Sequence, residues 1–447
     1  MSSLQSYIVF AVFAGVILLI AFNAVDMTLA AMLGASLLMG LGLLTQQDIL
    51  NSLRSSEGML SLLFGGMLVA RALVPTGIFE YAGRHFLRAT RGSGKRFLLM
   101  LVAMVAPICA FLPNATTVIL LAPIIIRVAI ALEFDFVGPM ILTAIVSNSA
   151  GLLTLVGDPA TFLVGSSIGM TFGQYLRHVS LGGLIAVLVV IPLLPKVMPE
   201  IWNARRELPS DLQPQPLARP GLTVAALTVL TLMIGLFMFG EDLPSPVIPP
   251  SVAFIAGSLA LLVIYSMTVE PVGKMLADVD WKTLIFLLCM FWLVEAVVKT
   301  GIVQTFSLQL YAGFGSRLWL VALVMLATIA LASSVLANTP VVAAAILLIK
   351  GYLVVAEIVP ELALGPTFNA WPKATLPLFI AMMFGGTLGG NSTLIGAAAN
   401  VVSAGICAAN GKRVTFVKFL RYGIPITLVQ LAASAIYVMV LFLVTGR

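Results

Sequence analysis

The chain has 447 residues, of which 60% are hydrophobic and only 9% charged, with a mean hydropathy of +1.11, a composition that no water-soluble domain carries without aggregating. Its formal net charge of +6 comes from Lys and Arg beside the ends of apolar runs, where lipid headgroups and the positive-inside rule account for them, so nucleic acid is excluded as a partner. Cys109, Cys289 and Cys407 share no disulfide or metal spacing and read as small core residues, with no cofactor expected.

Runs of roughly 20 apolar residues cross a hydrocarbon core of about 30 Å as helices. From the N-terminus, ten such spans are expected, near residues 5 to 23, 27 to 44, 58 to 76, 136 to 170, 179 to 198, 220 to 239, 251 to 267, 281 to 299, 373 to 408 and 422 to 444. The first follows Met1-Ser2-Ser3-Leu4-Gln5, which lacks the basic region and cleavage site of a signal peptide, so it is expected to stay. The fourth and ninth are interrupted. The apolar stretches 97 to 132 and 317 to 357 are each broken midway, at Asn114 and Asn338, and are predicted to form re-entrant helical hairpins. The expectation is an all-α, polytopic, multi-pass protein of the cell (inner) membrane, with the lipid bilayer as its solvent.

Blocks of the first half return in the second, in order. Ala72-Leu73-Val74-Pro75-Thr76-Gly77-Ile78 returns as Ala296-Val297-Val298-Lys299-Thr300-Gly301-Ile302, and Leu112-Pro113-Asn114 as Leu336-Ala337-Asn338. Thr154-Leu155-Val156-Gly157 returns as Thr393-Leu394-Ile395-Gly396, and Thr171-Phe172 with Tyr175-Leu176-Arg177 as Thr415-Phe416 with Phe419-Leu420-Arg421. A duplicated, Gly-interrupted hydrophobic unit is how secondary transporters are built. Residues 1 to 198 and 220 to 447 then form two repeats of five spans plus one hairpin each. Residues 199 to 219, with Pro209, Pro214, Pro216 and Pro220 near or at its end, are the linker.

Charge predicts how the repeats face. Arg84, Arg88, Arg91, Lys95 and Arg96 precede the first hairpin, whereas the matching stretch 303 to 317 holds only Arg317. Conversely, Lys412, Arg413, Lys418 and Arg421 follow the second interrupted span, and only Arg177 and His178 follow the first. Opposite charge content at equivalent positions implies inverted repeats, a cytoplasmic linker and outward termini.

Inside hydrocarbon, non-helical backbone survives only where protein or a watery cavity satisfies its amides and carbonyls. Four segments break helicity at membrane depth: Leu112 to Thr117, Ser147 to Gly151 running on to Pro159, Leu336 to Pro340, and Gly385 to Thr393. A broken helix offers N–H groups at one half-helix start and C=O groups at the other half-helix end, suited to an anion and to a small cation respectively. Asn114, Thr116, Thr117, Asn148, Thr154, Asn338, Thr339, Asn391, Thr393 and Asn400 are therefore candidate substrate or ion ligands. They supply oxygens for Na+, at Asn114 and Asn338 above all, or donors for an oxyanion; for any one of them, capping of a half-helix is the plain alternative.

Asp158 is the one acid left inside a candidate site. It either binds a coupling cation, carries a proton, or caps the half-helix that follows. Arg71 and Glu295 hold equivalent repeat positions but would lie at different depths in inverted repeats, so no ion pair between them is expected. Arg127 and Lys350, on the second arms of the hairpins, either snorkel to the nearest interface or lend positive potential to an anion path.

The motifs Asn114-Ala115-Thr116-Thr117, Gly157-Asp158-Pro159 and above all the run from Gly389-Gly390-Asn391-Ser392-Thr393 to Ala399-Asn400-Val401-Val402 resemble the signatures of the ion transporter superfamily. The resemblance runs from about residue 55 to the end. It is strongest to the branch of arsenite and silicon efflux transporters, the melanosomal P protein and D-type sodium/proton antiporters, which carry a citrate-transporter-like domain, and weaker to the divalent anion/sodium symporters. It implies two hairpins of opposite orientation whose tips meet the broken helices at mid-membrane, and a transport body that moves like an elevator against a scaffold, often in a homodimer. The chain departs from the branch where Pro113 and Ala337 replace an acid before the hairpin Asn, and where Pro159-Ala160-Thr161 replaces Pro-Pro-Asn.

The function expected is secondary active transport of a small inorganic or organic anion or an oxyacid, coupled to H+ or Na+. A monovalent cation/proton antiporter is the alternative, weakened by the missing tip acids, and a passive channel is another. An intramembrane enzyme would need a Ser/Lys, Asp/Asp or His/Glu constellation, which two His and sparse buried acids do not supply.

Overall fold

A computed structural model describes residues 3–21, 25–155, 157–206, 217–240, 243–245, 247–336, 338–365 and 368–445. Met1, Ser2, Val156, Pro209, Pro214, Pro216 and Ala337, used above, lie outside the described residues, as does the side chain of Arg84. Among the described residues the regular structure is helical. In chain order, α1 (Ser3–Ala21), α2 (Met27–Gly40) and α3 (Gln46–Leu73) precede a surface helix, α4 (Ile78–Thr90). A helical pair follows, α5 (Gly94–Cys109) and α6 (Asn114–Ala131), then two half-helices, α7 (Val137–Ala150) and α8 (Pro159–Ser167). The series closes with α9 (Phe172–Val197), which carries a π turn over Leu176–Ser180.

The same order returns after residue 219. α10 (Pro220–Phe239), α11 (Pro249–Ser266) and α12 (Trp281–Lys299) precede the surface helix α13 (Ile302–Phe314). Then come the pair α14 (Leu318–Val335) and α15 (Asn338–Val355), the half-helices α16 (Leu376–Gly389) and α17 (Ala398–Ala409), and α18 (Phe416–Thr445). Among the described residues each of the ten expected spans and both expected hairpin stretches contain helix, the second span ending at Gly40 and not at residue 44, and the two interrupted spans split at their Gly and Asn clusters. Among the described residues eight helices, α1, α6, α9, α10, α12, α14, α15 and α18, are long and apolar enough to cross a membrane. The repeated Thr-Gly-Ile forms the same turn twice: Gly77 and Gly301 adopt φ of 75° and 72°, a left-handed conformation that Gly takes without strain. Each turns a long helix into a surface helix.

Packing brings the two halves of the chain together at the centre. α7 is buried along its whole length and α16 from Pro377 to Gly389. α16 lies so close to α14 that a Cβ added to Gly389 would stand 2.3 Å from the Ala330 carbonyl oxygen. Such close backbone approach is what small residues permit between membrane helices, where dispersion contact replaces the hydrophobic effect. α6 packs against α17, and α15 against α8. Each helical pair therefore grips a half-helix from the other half of the chain.

Charged residues collect at the end of the molecule where α5 begins. Arg206 N donates to Gly92 O at 2.8 Å, and Arg206 pairs with Glu133 at 3.3 Å. Lys412 and Lys418 pair with Asp135 at 2.9 and 3.2 Å. Partial burial pushes the Asp135 carboxyl up, but its hydrogen bonds from Lys412, the Val137 amide and Lys418 outweigh this and hold it below the usual carboxylate range. Arg71 pairs with Glu270 and Asp278 at 2.9 and 2.7 Å.

Candidate functional site

α5 stops at Cys109, and the chain passes through Pro113 before α6 starts at Asn114; α14 stops at Val335 and α15 starts at Asn338. The two tip amides meet on one carboxylate. Asn114 Nδ2 donates to Asp158 Oδ2 at 3.0 Å, and Asn338 Nδ2 donates to the same oxygen at 3.1 Å. The Ala160 amide donates to Asp158 Oδ1 at 2.8 Å. Asp158 is therefore both the N-cap of α8 and the point where the two hairpins join, and it is 1% exposed. Gly157 lets the chain fold back just before it: a Cβ there would stand 2.8 Å from Gly151 O and 3.0 Å from Cys109 O.

A cavity of about 130 Å³ opens at this junction. Asn114, Asn148, Asp158, Asn338 and Thr339 line it, with Thr283 and Leu287 of α12 and its N-cap Asp280 on the facing wall. Four helices begin here, because Asn114, Pro159, Asn338 and Ala398, the first residues of α6, α8, α15 and α17, all line the cavity. The aligned peptide dipoles of these four helices turn partial positive charge toward the cavity, although the Ala160 and Thr339 amides are already capped by Asp158 Oδ1 and Asn338 Oδ1 and Pro159 and Pro340 carry no N–H. Oxygens balance that charge. Besides the carboxylate, Asn114 Oδ1 and Asn148 Oδ1 are buried acceptors with no hydrogen-bond partner among the described residues.

The other candidate residues divide by environment. Asn148 Nδ2 donates to Asn391 Oδ1 at 3.1 Å and to Asn400 Oδ1 at 3.0 Å. Asn391 Nδ2 donates to Ser149 Oγ and Gln430 Oε1, both at 3.0 Å, and Asn400 Nδ2 donates to Gly390 O and Thr393 O at 2.8 and 2.7 Å. Gln430 Nε2 returns to Ser149 Oγ and reaches Ala186 O, each at 2.8 Å. These five side chains form a buried amide network beside the cavity, and only Asn148 belongs to both. Ser149 and Gln430 were not among the sequence candidates; the signal for Gln430 is a lone amide in the otherwise apolar run Leu428-Val429-Gln430-Leu431.

The hydroxyl of Thr154 donates to Ala110 O and that of Thr393 to Ser334 O, tying each half-helix break to the end of a hairpin arm. Neither lines the cavity. Thr339 does, and its amide and hydroxyl both donate to Asn338 Oδ1. Thr117 is fully buried beside Cys109, and Thr116 is half-buried in the first turn of α6 outside the cavity lining. The two hairpin cations part company: Arg127 is exposed, while Lys350 is 5% exposed with its ammonium 5.3 Å from the centre of the Trp371 ring. Among the described residues no group of three or more His, Cys, Asp or Glu is placed to hold a metal ion.

The sequence profile of the CitMHS family, described as citrate transporter, matches residues 17–367. An uncharacterized transporter of Synechocystis sp. is 41% identical over 428 residues, covering 96% of this chain and 95% of that protein. An uncharacterized transporter of Mycobacterium tuberculosis is 31% identical over 438 residues, 97% of this chain and 98% of its own. The human P protein is 28% identical over 525 residues, covering 99% of this chain and 60% of the P protein. Among solved structures, the YdaH transporter of Alcanivorax borkumensis superposes with a TM-score of 0.60 at 12% identity, over 88% of this chain and 86% of that one, a likeness of fold.

Proposed function

Because the chain belongs to the CitMHS citrate transporter family, and is thus a multi-pass membrane transporter, we propose that it is a secondary active transporter of a small carboxylate, oxyanion or oxyacid, coupled to Na+ or H+. The observation that carries this reading is the convergence of four helix N-termini around one buried carboxylate. Helix N-termini attract an anion without placing a permanent positive charge in lipid. The carboxylate alone would repel that anion. With a proton or Na+ on Asp158, the repulsion is cancelled, so the anion and the coupling ion bind best together. Asn114 Oδ1 and Asn148 Oδ1, left without donors, are the oxygens that would join Asp158 in holding Na+.

Movement is proposed to be of the elevator type. The cavity has α6, α8, α15 and α17 on one side and α2, α3 and α12 on the other, so sliding the first body along the second would carry the site across. The inverted repeat and the cytoplasmic position of the 199 to 219 linker belong to this proposal. Support comes from the repeated helix order and from the meeting of residues 92, 133, 135, 206, 412 and 418 at one end of the molecule.

The test is uptake of labelled citrate, succinate, sulfate and arsenite into proteoliposomes under an imposed Na+ or H+ gradient. At least one should enter. Asn114→Ala and Asn338→Ala each remove a hydrogen bond to the acid, worth about 10- to 100-fold in rate, while the protein still inserts. Normal flux in both variants would sink the assignment. The unpaired amide oxygens beside Asp158 also favour a second reading, monovalent cation/proton exchange, for which vesicle pH should respond to Na+, Li+ or K+ with no anion present.

A further inference from the structure

A second cavity, of about 110 Å³, continues from the first along α12. Thr283, Phe286 and Leu287 of that helix line the tip cavity and Leu287, Met290, Val294, Glu295 and Val298 line the second, with Leu287 and Thr339 common to both. The two lie end to end. One wall of the second cavity carries Ser52 of α3 and Glu295 of α12; the other carries Ser166 and Ser167 of α8 and Lys350 of α15.

Lys350 is the unusual member. It is 95% buried by its 5% exposure, and no carboxylate among the described residues lies within 4 Å of its ammonium, Glu295 across the gap included. Its one described polar contact is the face of Trp371. An ammonium withdrawn from water is costly unless something negative compensates it, and a single ring face offsets only part of that cost. A buried cation lining a cavity is the donor that recognises a carboxylate or oxyanion; the Ser166 and Ser167 hydroxyls on the same wall donate to Leu163 O and Val164 O at 3.2 and 2.8 Å and reach an anion only by turning away from these carbonyls.

We propose that this cavity is a second binding site for the transported anion, an anteroom in which Lys350 holds a small carboxylate or oxyanion before it passes Leu287 and Thr339 to Asp158. The proposal rests on the transporter reading above and adds a residue and a route to it. Glu295 faces the same space from the scaffold side and opposes the anion. Binding there is thus weak enough for the solute to move on, as conduction through successive sites requires. Arg127, on the corresponding arm of the first hairpin, is exposed, so it is not a buried counterpart of Lys350.

The experiment uses the full chain in liposomes with Ser166→Cys, an exposed position in the cavity wall; Cys109, Cys289 and Cys407 are buried and keep the background low. Modification rates by a sulfonate-bearing methanethiosulfonate and by its trimethylammonium counterpart are compared with those of a free thiol. One nearby cation should favour the anionic reagent by about threefold or more. Lys350→Gln should abolish the preference, Lys350→Arg keep it, and Glu295→Gln increase it. Equal relative rates with Lys350 in place overturn the proposal. In citrate uptake, Lys350→Gln should raise KM several-fold with a smaller change in kcat. An unchanged KM in that variant, with Asn338→Ala inactive, overturns the anteroom and leaves the transporter reading standing. A wild-type protein that carries no anion removes the transporter reading, and the thiol rates still decide whether Lys350 makes an anion site.

Discussion

Between α7 and α8 the chain crosses from Gly151 to Gly157 and reaches Asp158, whereas between α16 and α17 it crosses from Gly390 to Gly396 and reaches Ala397. The backbone solution is the same. A Cβ on Gly157 would meet Gly151 O at 2.8 Å, and one on Gly396 would meet Gly390 O at 2.6 Å. In each break a threonine, Thr154 or Thr393, donates its hydroxyl to a carbonyl at the end of the neighbouring hairpin arm. The chemistry differs. The first break presents a carboxylate to the cavity, held by both hairpin tips. The second has no acid and turns Asn391 and Asn400 into a buried network with Asn148, Ser149 and Gln430. One folding solution used twice thus yields one break that presents an acid to a cavity and another that fastens the two halves of the chain together.

The comparison can be broken most severely at its charged member. Asp158→Asn keeps the helix cap, since Asn caps as well as Asp, but removes the charge on which two amides converge. Transport should fall about 100-fold or more, and the unfolding temperature should fall with it, because an NH2 then faces either the Asn114 and Asn338 donors or the Ala160 amide; uptake and thermal shift on the same preparation measure both. Retained transport would mean that the acid is only a cap.

At the second break the expected loss is of stability. Asn391→Leu strands Ser149, Gln430 and Asn148 as buried polar groups with missing partners, at about 2–4 kcal/mol. Gln430→Leu should act in the same direction, and the double variant should cost less than the sum because both belong to one network. Denaturation in detergent reads this out. Transport per folded molecule should change less than in Asp158→Asn; a larger change would move the network into the site.

The smallest effect sharpens the likeness instead of the difference. Thr154→Val and Thr393→Val remove equivalent hydroxyl-to-carbonyl bonds, each worth about 1 kcal/mol. The two losses should match and add, since they lie in separate breaks. Unequal melting shifts would show that the two breaks are not mechanically equivalent.

The chain's class, its helix order and the places where helices break were legible as sequence because each depends on local physics. A run of apolar residues has to be helical in lipid, and a Gly and Asn cluster cannot continue such a helix cheaply; the recurrence of Thr-Gly-Ile marked a repeat, and the structure adds that Gly77 and Gly301 are left-handed. The polar residues of the breaks were also visible, but not their division of labour. Asn114 and Asn338 read the same as Asn391 and Asn400, and nothing local says that the first pair meets an acid while the second meets amides. Gln430, in a separate span, completes that network through contacts across 39 and 281 residues of chain.

What the sequence determined by itself is therefore the list of parts: apolar helices, two hairpins, two broken spans and one acid among neutral amides. Only the tertiary structure decided that α6 grips α17 while α15 grips α8, which brings both tips to Asp158, and that Lys350 is buried against a cavity while Arg127 is exposed. The reason is physical. Hydropathy and turn propensity act over a few residues, whereas a hydrogen bond between side chains 180 positions apart depends on how whole helices pack, and that packing is set by the shapes of surfaces that no single segment contains.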